Sequence, residues 1–144
     1  MSKSTLFSVT TEHALRAMVH LARTPAGEPV LGRDLADQTS IPGNYLSKML
    51  VTLRNAGLVQ TTRGQHGGYR IAKAPSEIRL IDIADLFEGS GCAPGCLLGE
   101  NHECCDELAC PAHTRWKQVV DVYAEFLRTT TIADIRGGQD PGGG

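Results

Sequence analysis

Cysteine is absent from the first 91 residues of this 144-residue chain, and all five cysteines fall between Cys92 and Cys110. Cysteines used as small core hydrophobes would be spread along the chain, so this clustering indicates a binding or redox segment. The segment and its flanks are rich in Gly, Pro, Asp and Glu, which interrupt helices and strands. The pattern predicts a loop that surrounds a group bound by the cysteine thiolates.

Long apolar runs are also missing, and the N-terminus lacks the charged-then-apolar pattern of an export signal. These absences argue against a membrane-spanning helix and against secretion, so we expect a cytoplasmic protein with no membrane partner. Thiols stay reduced in that compartment, where clustered cysteines are more often metal ligands or redox sensors than structural disulfides.

The sequence has no Cys-x-x-Cys pair, no glycine-rich nucleotide loop after a predicted strand, and no nucleophile with an evident base. Each of these motifs would support a particular catalytic mechanism. We therefore predict that the protein is not an enzyme, with a thiol oxidoreductase as the enzymatic alternative.

Positive charge is concentrated in one half of the chain, although the formal net charge is only −2. Residues 1–75 contain nine Lys and Arg against four Asp and Glu, a net charge of +5. Residues 76–144 contain five against twelve, a net charge of −7. Because a basic surface favours contact with phosphate groups, the first half is the candidate nucleic-acid-binding part.

Apolar spacing in the first half predicts three helices. The first, capped by Thr10 or Thr11, ends at Arg23, and a short second helix lies within residues 30–40. After a tight turn, an amphipathic third helix covers residues 45–56. Two short helices joined in this way fit a helix-turn-helix, with an ordinary helical hairpin as the alternative. The predicted DNA-contacting side chains at the start of the third helix are those of Asn44, Tyr45, Ser47 and Lys48.

A basic, glycine-tipped hairpin is predicted next. Strands over residues 58–62 and 69–72 flank a turn containing three glycines, and the donors Arg63, His66 and Arg70 are placed to meet DNA. A helix-turn-helix followed by such a hairpin is a winged helix. The predicted fold is therefore mainly α with a small β-hairpin wing.

The second half is predicted to contain a short strand and then a helix within residues 76–89. The residues predicted to pack this segment beneath the wing are Leu80, Ile83, Leu86 and Phe87. Behind the cysteine segment, residues 112–130 predict a long amphipathic helix. Its apolar stripe consists of Trp116, Val119, Val120, Tyr123, Phe126 and Leu127. Because this stripe exceeds what so small a domain can cover, we predict a dimerisation helix, with packing inside one chain as the alternative.

With these features, the chain resembles the IscR/NsrR-type winged-helix transcription regulators of bacteria over nearly all of residues 8–135. The resembling residues are Ile41-Pro42, Tyr45-Leu46, Leu53, Ala56-Gly57-Leu58-Val59, Arg63-Gly64, Gly67-Gly68-Tyr69, Ile83, Glu88-Gly89, the cysteine segment, Cys110-Pro111-Ala112-His113 and Thr130-Thr131-Ile132-Ala133-Asp134. The resemblance implies a homodimeric repressor that binds a double-stranded operator with two half-sites and carries an iron–sulfur cluster.

The expected division of the chain follows from these features. Residues 1–89 form the winged helix-turn-helix, 90–111 the cluster-binding loop, 112–136 the dimerisation helix, and 137–144 a glycine-rich flexible tail.

The resemblance implies a ligand set of three cysteines and one other residue. Cys96, Cys104 and Cys110 are the predicted thiolate ligands, while Cys92 and Cys105 are surplus and can substitute for their neighbours. The similar IscR-type pattern makes His113 a candidate for the fourth ligand, and the similar NsrR-type pattern makes Glu12 of the partner subunit the other candidate. Glu12 is preferred, and a two-iron cluster is preferred over a four-iron cluster.

Three alternatives to the cluster remain open. Four Cys and His ligands would also suit tetrahedral zinc. A metal-free switch could form a regulatory disulfide between two of the cysteines. The third alternative is a regulator that responds to an organic ligand.

Overall fold

The computed structural model describes residues 7–25, 28–64, 67–88 and 112–136, and for His113 only the helical backbone. The elements are α1 (Val9–Arg23), α2 (Gly32–Thr39), α3 (Gly43–Asn55), β1 (Val59–Thr62), β2 (Gly68–Ile71), α4 (Leu80–Glu88), α5 (His113–Thr129) and α6 (Ile132–Ile135). The predicted fold class is confirmed, since helices dominate and the two strands form one antiparallel hairpin. Within the described ranges, no helix is both long and apolar enough to cross a membrane.

Helix α1 begins earlier than its hydroxyl residues suggested. Ser8 is the N-cap, because its side chain accepts a hydrogen bond from the backbone N–H of Thr11. The predicted caps, Thr10 and Thr11, both lie inside the first turn, and Thr11 is fully buried. The choice of Thr10 or Thr11 as cap was therefore wrong, while the predicted end at Arg23 is confirmed.

Helices α2 and α3 form the predicted helix-turn-helix. The turn between them contains Ser40 in the left-handed conformation, with φ of 61°, and the buried side chain of Ile41. Helix α3 starts at Gly43, two residues before the predicted start, because Pro42 fixes an extended backbone just ahead of the first turn. The helix is held against the core by Leu46, Met49, Leu50 and Leu53, all buried.

The wing is the β1–β2 hairpin, each strand lying within one residue of its prediction. Val59 pairs with Ile71 and Thr62 pairs with Gly68. Val30, just before α2, extends this sheet by one residue, since it exchanges backbone hydrogen bonds of 2.7 and 2.8 Å with Tyr69. The wing is thereby fastened to the helix-turn-helix.

Gly68 permits this close approach, and its replacement is expected to be costly. The residue has a φ of +151°, and a Cβ atom there would lie 2.5 Å from the carbonyl oxygen of Val30. We expect Gly68→Ala to lower the free energy of unfolding by about 2 kcal/mol, as measured by urea denaturation. Gly43→Ala is the matched control, since its Cβ atom would meet nothing within 4 Å. Equal stability of the two variants would contradict this reading of Gly68.

The predicted strand ahead of α4 is wrong. Residues 75–77 form a 3-10 turn, and only an isolated bridge, between Arg79 and Thr131, follows it. The N–H of Leu80 donates to the carbonyl of Thr130 at 2.9 Å, and the N–H of Ile132 donates to the carbonyl of Ile78 at 2.9 Å. Helix α4 packs mainly on α1 and α5 instead of lying beneath the wing.

Helix α5 confirms the predicted long C-terminal helix, with 17 residues and a length of about 25 Å. Tyr123 and Leu127 are buried in the same core as α1, α3 and α4. By contrast, Val119, Val122 and Phe126 are 55%, 69% and 47% exposed. On a helical wheel these two apolar groups are centred about 90° apart. The fold of one chain therefore buries Tyr123 and Leu127 of the predicted stripe and leaves Val119 and Phe126 exposed, together with Val122, which lay outside that prediction.

Candidate nucleic-acid interface and sensor segment

Helix α3 is the reading helix of the helix-turn-helix. It presents its polar side to the surface. Its buried leucines fix the opposite side against the core. Asn44, Ser47 and Lys48, three of the predicted DNA contacts, are consequently exposed on the first two turns. Amide, hydroxyl and ammonium groups at this end of a helix can bond base edges or phosphates in a major groove.

Tyr45, the fourth predicted contact on this helix, is tied to α1. Its hydroxyl forms a hydrogen bond with the hydroxyl of Thr10. Its ring meets the ring of His13 edge-on, with centroids 5.3 Å apart. The side chain is still 36% exposed, so it presents one edge outward while it connects the two helices. No local sequence pattern predicts the link to Thr10, because the two residues are 35 positions apart.

The wing carries the other predicted contacts. Arg63 is exposed at the end of β1, and His66 lies outside the described residues. Arg70 is half-buried and donates from Nε to Oε1 of Gln60, its partner across the strands, at 3.2 Å. Gln60 was not among the predicted residues, although it shares the outer face of the hairpin with Arg70. Pairing across the hairpin orients the Arg70 guanidinium.

The first turn of α1 holds Glu12, the preferred candidate for the fourth ligand. The side chain is half-buried, and no described side chain donates a hydrogen bond or forms an ion pair with its carboxylate. The neighbouring His13 has a lowered pKa, because burial and then the nearby Arg16 disfavour the charged imidazolium, with Glu12 opposing them. Among the described residues, Nδ1 of His13 has no hydrogen-bond partner.

Glu88, the last residue of α4, is bonded to the start of α1. One carboxylate oxygen, Oε2, accepts from the N–H of Ser8 at 2.7 Å and from the hydroxyl of Thr11 at 2.6 Å. Partial burial works against the charged form, but the hydrogen bonds from Thr11 and Ser8 outweigh it, so the pKa of Glu88 is lowered. The carboxylate is therefore ionised at neutral pH and holds the ends of two helices together.

The cysteine ligands predicted from the sequence, Cys96, Cys104 and Cys110, lie outside the described residues, as do the surplus Cys92 and Cys105. His113 opens α5, and only its backbone is described. In the ranges that are described, no three His, Cys, Asp or Glu side chains are grouped so as to hold a metal ion. The two ends of the undescribed segment are attached to α4 and to Ala112, the N-cap of α5.

A helix-turn-helix with exposed polar groups on its second helix, followed by a two-stranded wing, defines a winged-helix DNA-binding protein. Similarity to known proteins supports this class. The family model "Rrf2: Iron-dependent Transcriptional regulator" matches residues 7–137. Over 130 residues the chain is 32% identical to the HTH-type transcriptional regulator NsrR of Bacillus licheniformis, covering 90% of this chain and 91% of that relative.

Two solved structures share the fold. CymR (YrzC), the global cysteine regulator of B. subtilis, superposes with a TM-score of 0.78 at 28% identity, covering 97% of this chain and 100% of that one. IscR of T. potens superposes with a TM-score of 0.68 at 26% identity, covering 89% and 83%. The chain therefore belongs to the Rrf2 family of transcriptional regulators.

This assignment confirms the resemblance drawn from the sequence. The protein is a helix-turn-helix transcriptional regulator that binds DNA, and it is not an enzyme, since its relatives are regulators.

Proposed function

We propose that the protein is a homodimeric repressor that senses redox state, nitric oxide or iron–sulfur supply through an iron–sulfur cluster. The observation that carries the proposal is the position of the five-cysteine segment. It joins α4 of the DNA-binding core to α5, the helix with an uncovered apolar face. A change of state in this segment would act on both the reading helix and the dimer.

The residues proposed to hold the cluster are Cys96, Cys104 and Cys110, with Glu12 or His113 completing the set. The donor chemistry fits, because thiolates are the usual protein ligands of iron–sulfur clusters. No described side chain bonds the carboxylate of Glu12, and this supports its selection as the fourth ligand from the partner subunit. When bound, the cluster would supply iron that reacts with nitric oxide and oxidants. Residues 1–89, 90–111 and 112–136 are the proposed DNA-binding, sensing and dimerising parts, followed by a flexible tail over 137–144.

The chain's own residues would convert a signal into altered DNA affinity. In the proposed dimer, the two reading helices must meet half-sites about one helical turn of DNA apart. A small movement of either helix relative to α5 therefore changes how many base and phosphate contacts can form at once. Coupling free energies between a sensing site and a binding site are typically about 1–3 kcal/mol.

A thiol switch without metal is the second candidate function. It is favoured by the surplus thiols of Cys92 and Cys105, and by the likeness to CymR, the global cysteine regulator of B. subtilis. Two of the five cysteines would then form a disulfide by exchange with an oxidised low-molecular-weight disulfide, which would be reduced to two thiols, and excess thiol would reverse the step.

The deciding experiment is an absorption spectrum of protein purified without oxygen, with iron and sulfide counted per chain. We expect brown protein whose visible bands bleach with nitric oxide, and Cys110→Ser protein that holds no cluster. Glu12→Ala should lose iron faster than wild type, whereas His113→Ala and the control Glu28→Ala, an exposed acid distant in sequence, should not. Colourless protein that contains zinc or no metal would reject the cluster. In that case thiol counts before and after mild oxidation would test the disulfide.

A further inference from the structure

We propose that Glu88 is the positioning residue that couples the cysteine segment to the reading helix. The inference rests on the proposed function, because it requires that the state of the cysteine segment controls DNA affinity. It adds a defined route, from the end of α4 through the first turn of α1 to Tyr45 and Lys48.

The first step of the route is the bond between α4 and α1. Glu88 receives two hydrogen bonds on the same oxygen, from residues about 80 positions away in the chain. Thr11, one of the donors, is fully buried, so its hydroxyl cannot exchange this partner for water. Because a charged acceptor forms stronger hydrogen bonds than a neutral one, this contact holds more firmly than an ordinary side-chain bond.

The second step concerns the position of Glu88 in the sequence. It is the last residue of α4, and only three residues separate it from Cys92. Glu88 is therefore the described residue that lies closest before the cysteines in the sequence, and in this proposal it receives a change of state from that segment. The α1 helix already has a local N-cap in Ser8, so Glu88 is not needed to satisfy that role. The hydrogen bonds of Glu88 instead connect the end of α4 to the start of α1.

The third step leads from α1 to DNA. The hydroxyl of Thr10, the residue before Thr11, forms a hydrogen bond with the hydroxyl of Tyr45 on the first turn of the reading helix. An open groove of about 470 Å³ is lined by residues of all three elements, including Thr10, Tyr45, Lys48 and Phe87. Lys48 lies one turn after Tyr45, so a shift of the first turn of α1 changes where its ammonium group meets phosphate.

The test compares wild type with Thr11→Val, which deletes the donor hydroxyl, and with Glu88→Ala, which deletes the acceptor. Asp85→Ala is the matched control, because Asp85 is an exposed carboxylate on the same helix. Thr11→Ser retains the hydroxyl and serves as the rescue variant. The DNA probe is a duplex selected from a random library by the purified wild-type protein. Its Kd is measured for cluster-free reduced protein and for protein reconstituted anaerobically with iron and sulfide.

The expected result is a smaller fold-difference between the Kd of the cluster-free protein and the Kd of the reconstituted protein in the two deletion variants than in wild type. Thr11→Val and Glu88→Ala should lower this ratio by about fivefold or more, the lower end of ordinary allosteric coupling. Asp85→Ala and Thr11→Ser should keep the wild-type ratio. In cluster-free protein, hydrogen exchange of the Ser8 amide, which donates directly to Glu88, should be about tenfold faster in Glu88→Ala than in wild type.

The outcomes separate this inference from the proposed function. Equal Kd values for the two states of the wild type would reject the proposed function, and the inference with it. A wild-type difference that persists unchanged in Thr11→Val and Glu88→Ala would overturn the inference alone. Faster Ser8 exchange with an unchanged ratio would make Glu88 a structural contact only, and would likewise overturn it.

Discussion

Val122→Asp is expected to convert the proposed dimer into a monomer and to weaken binding to an operator duplex by roughly 100-fold or more. Val122 is the most exposed of the three apolar residues that the fold leaves uncovered on α5. A carboxylate buried there against a second copy would have no partner charge, which is costly. Loss of the dimer would also remove the gain from binding two half-sites together, commonly about 10²- to 10⁴-fold.

Sedimentation equilibrium and gel-shift titration measure the two parts of this prediction. Lys117→Asp is the matched control, because it places the same carboxylate on a different, polar face of α5. We expect this control to remain dimeric and to bind DNA like wild type. A Val122→Asp protein that stays dimeric at micromolar concentration would show that the uncovered apolar face is not the dimer contact.

Replacing Lys48 and Arg63 together is expected to lower operator affinity by roughly 100-fold, about tenfold for each residue. Both side chains are exposed, one on the reading helix and one at the tip of β1. In the part of the chain that is described, neither forms a salt bridge that would compete with phosphate. Each phosphate contact also releases counterions, so the double variant should lose about two from the slope of log affinity against log salt.

Fluorescence anisotropy at several salt concentrations measures both quantities. Lys73→Ala is the control, since Lys73 is an exposed cation beyond the end of β2 that lies near the acidic start of α4. Unchanged affinity and slope in the Lys48→Ala and Arg63→Ala double variant would remove these two residues from the interface.

The parts of the fold that were predictable depend on local patterns. Apolar spacing placed the ends of α1, α3 and α5 within about two residues, and α2 lies inside the predicted segment of residues 30–40, because each helix buries one face in the core. The third helix, predicted to end at residue 56, ends at Asn55, shortly before Gly57 in the left-handed conformation.

The features that were missed depend on contacts between distant residues. Ile78 and Leu80 alternate like a strand, but their backbone partners are Ile132 and Thr130, so only a single bridge forms. Ser8 and Thr11 both carry hydroxyls suited to a cap. Ser8 is the cap because its backbone is extended, with φ of −68° and ψ of 163°, whereas Thr11 lies inside the helix and donates its hydroxyl to Glu88. No local sequence signal reports either arrangement.

The backbone hydrogen bonds between residues 78–80 and residues 130–132 also determine when the core can finish folding during synthesis. The reading helix and the wing leave the ribosome first, since domains begin to fold as they emerge. Ile78 and Leu80, however, find their backbone partners only after Thr130 and Ile132 have been made. Residues 89–111 must be translated before that point. A nascent chain therefore cannot complete its DNA-binding core without already carrying all five cysteines.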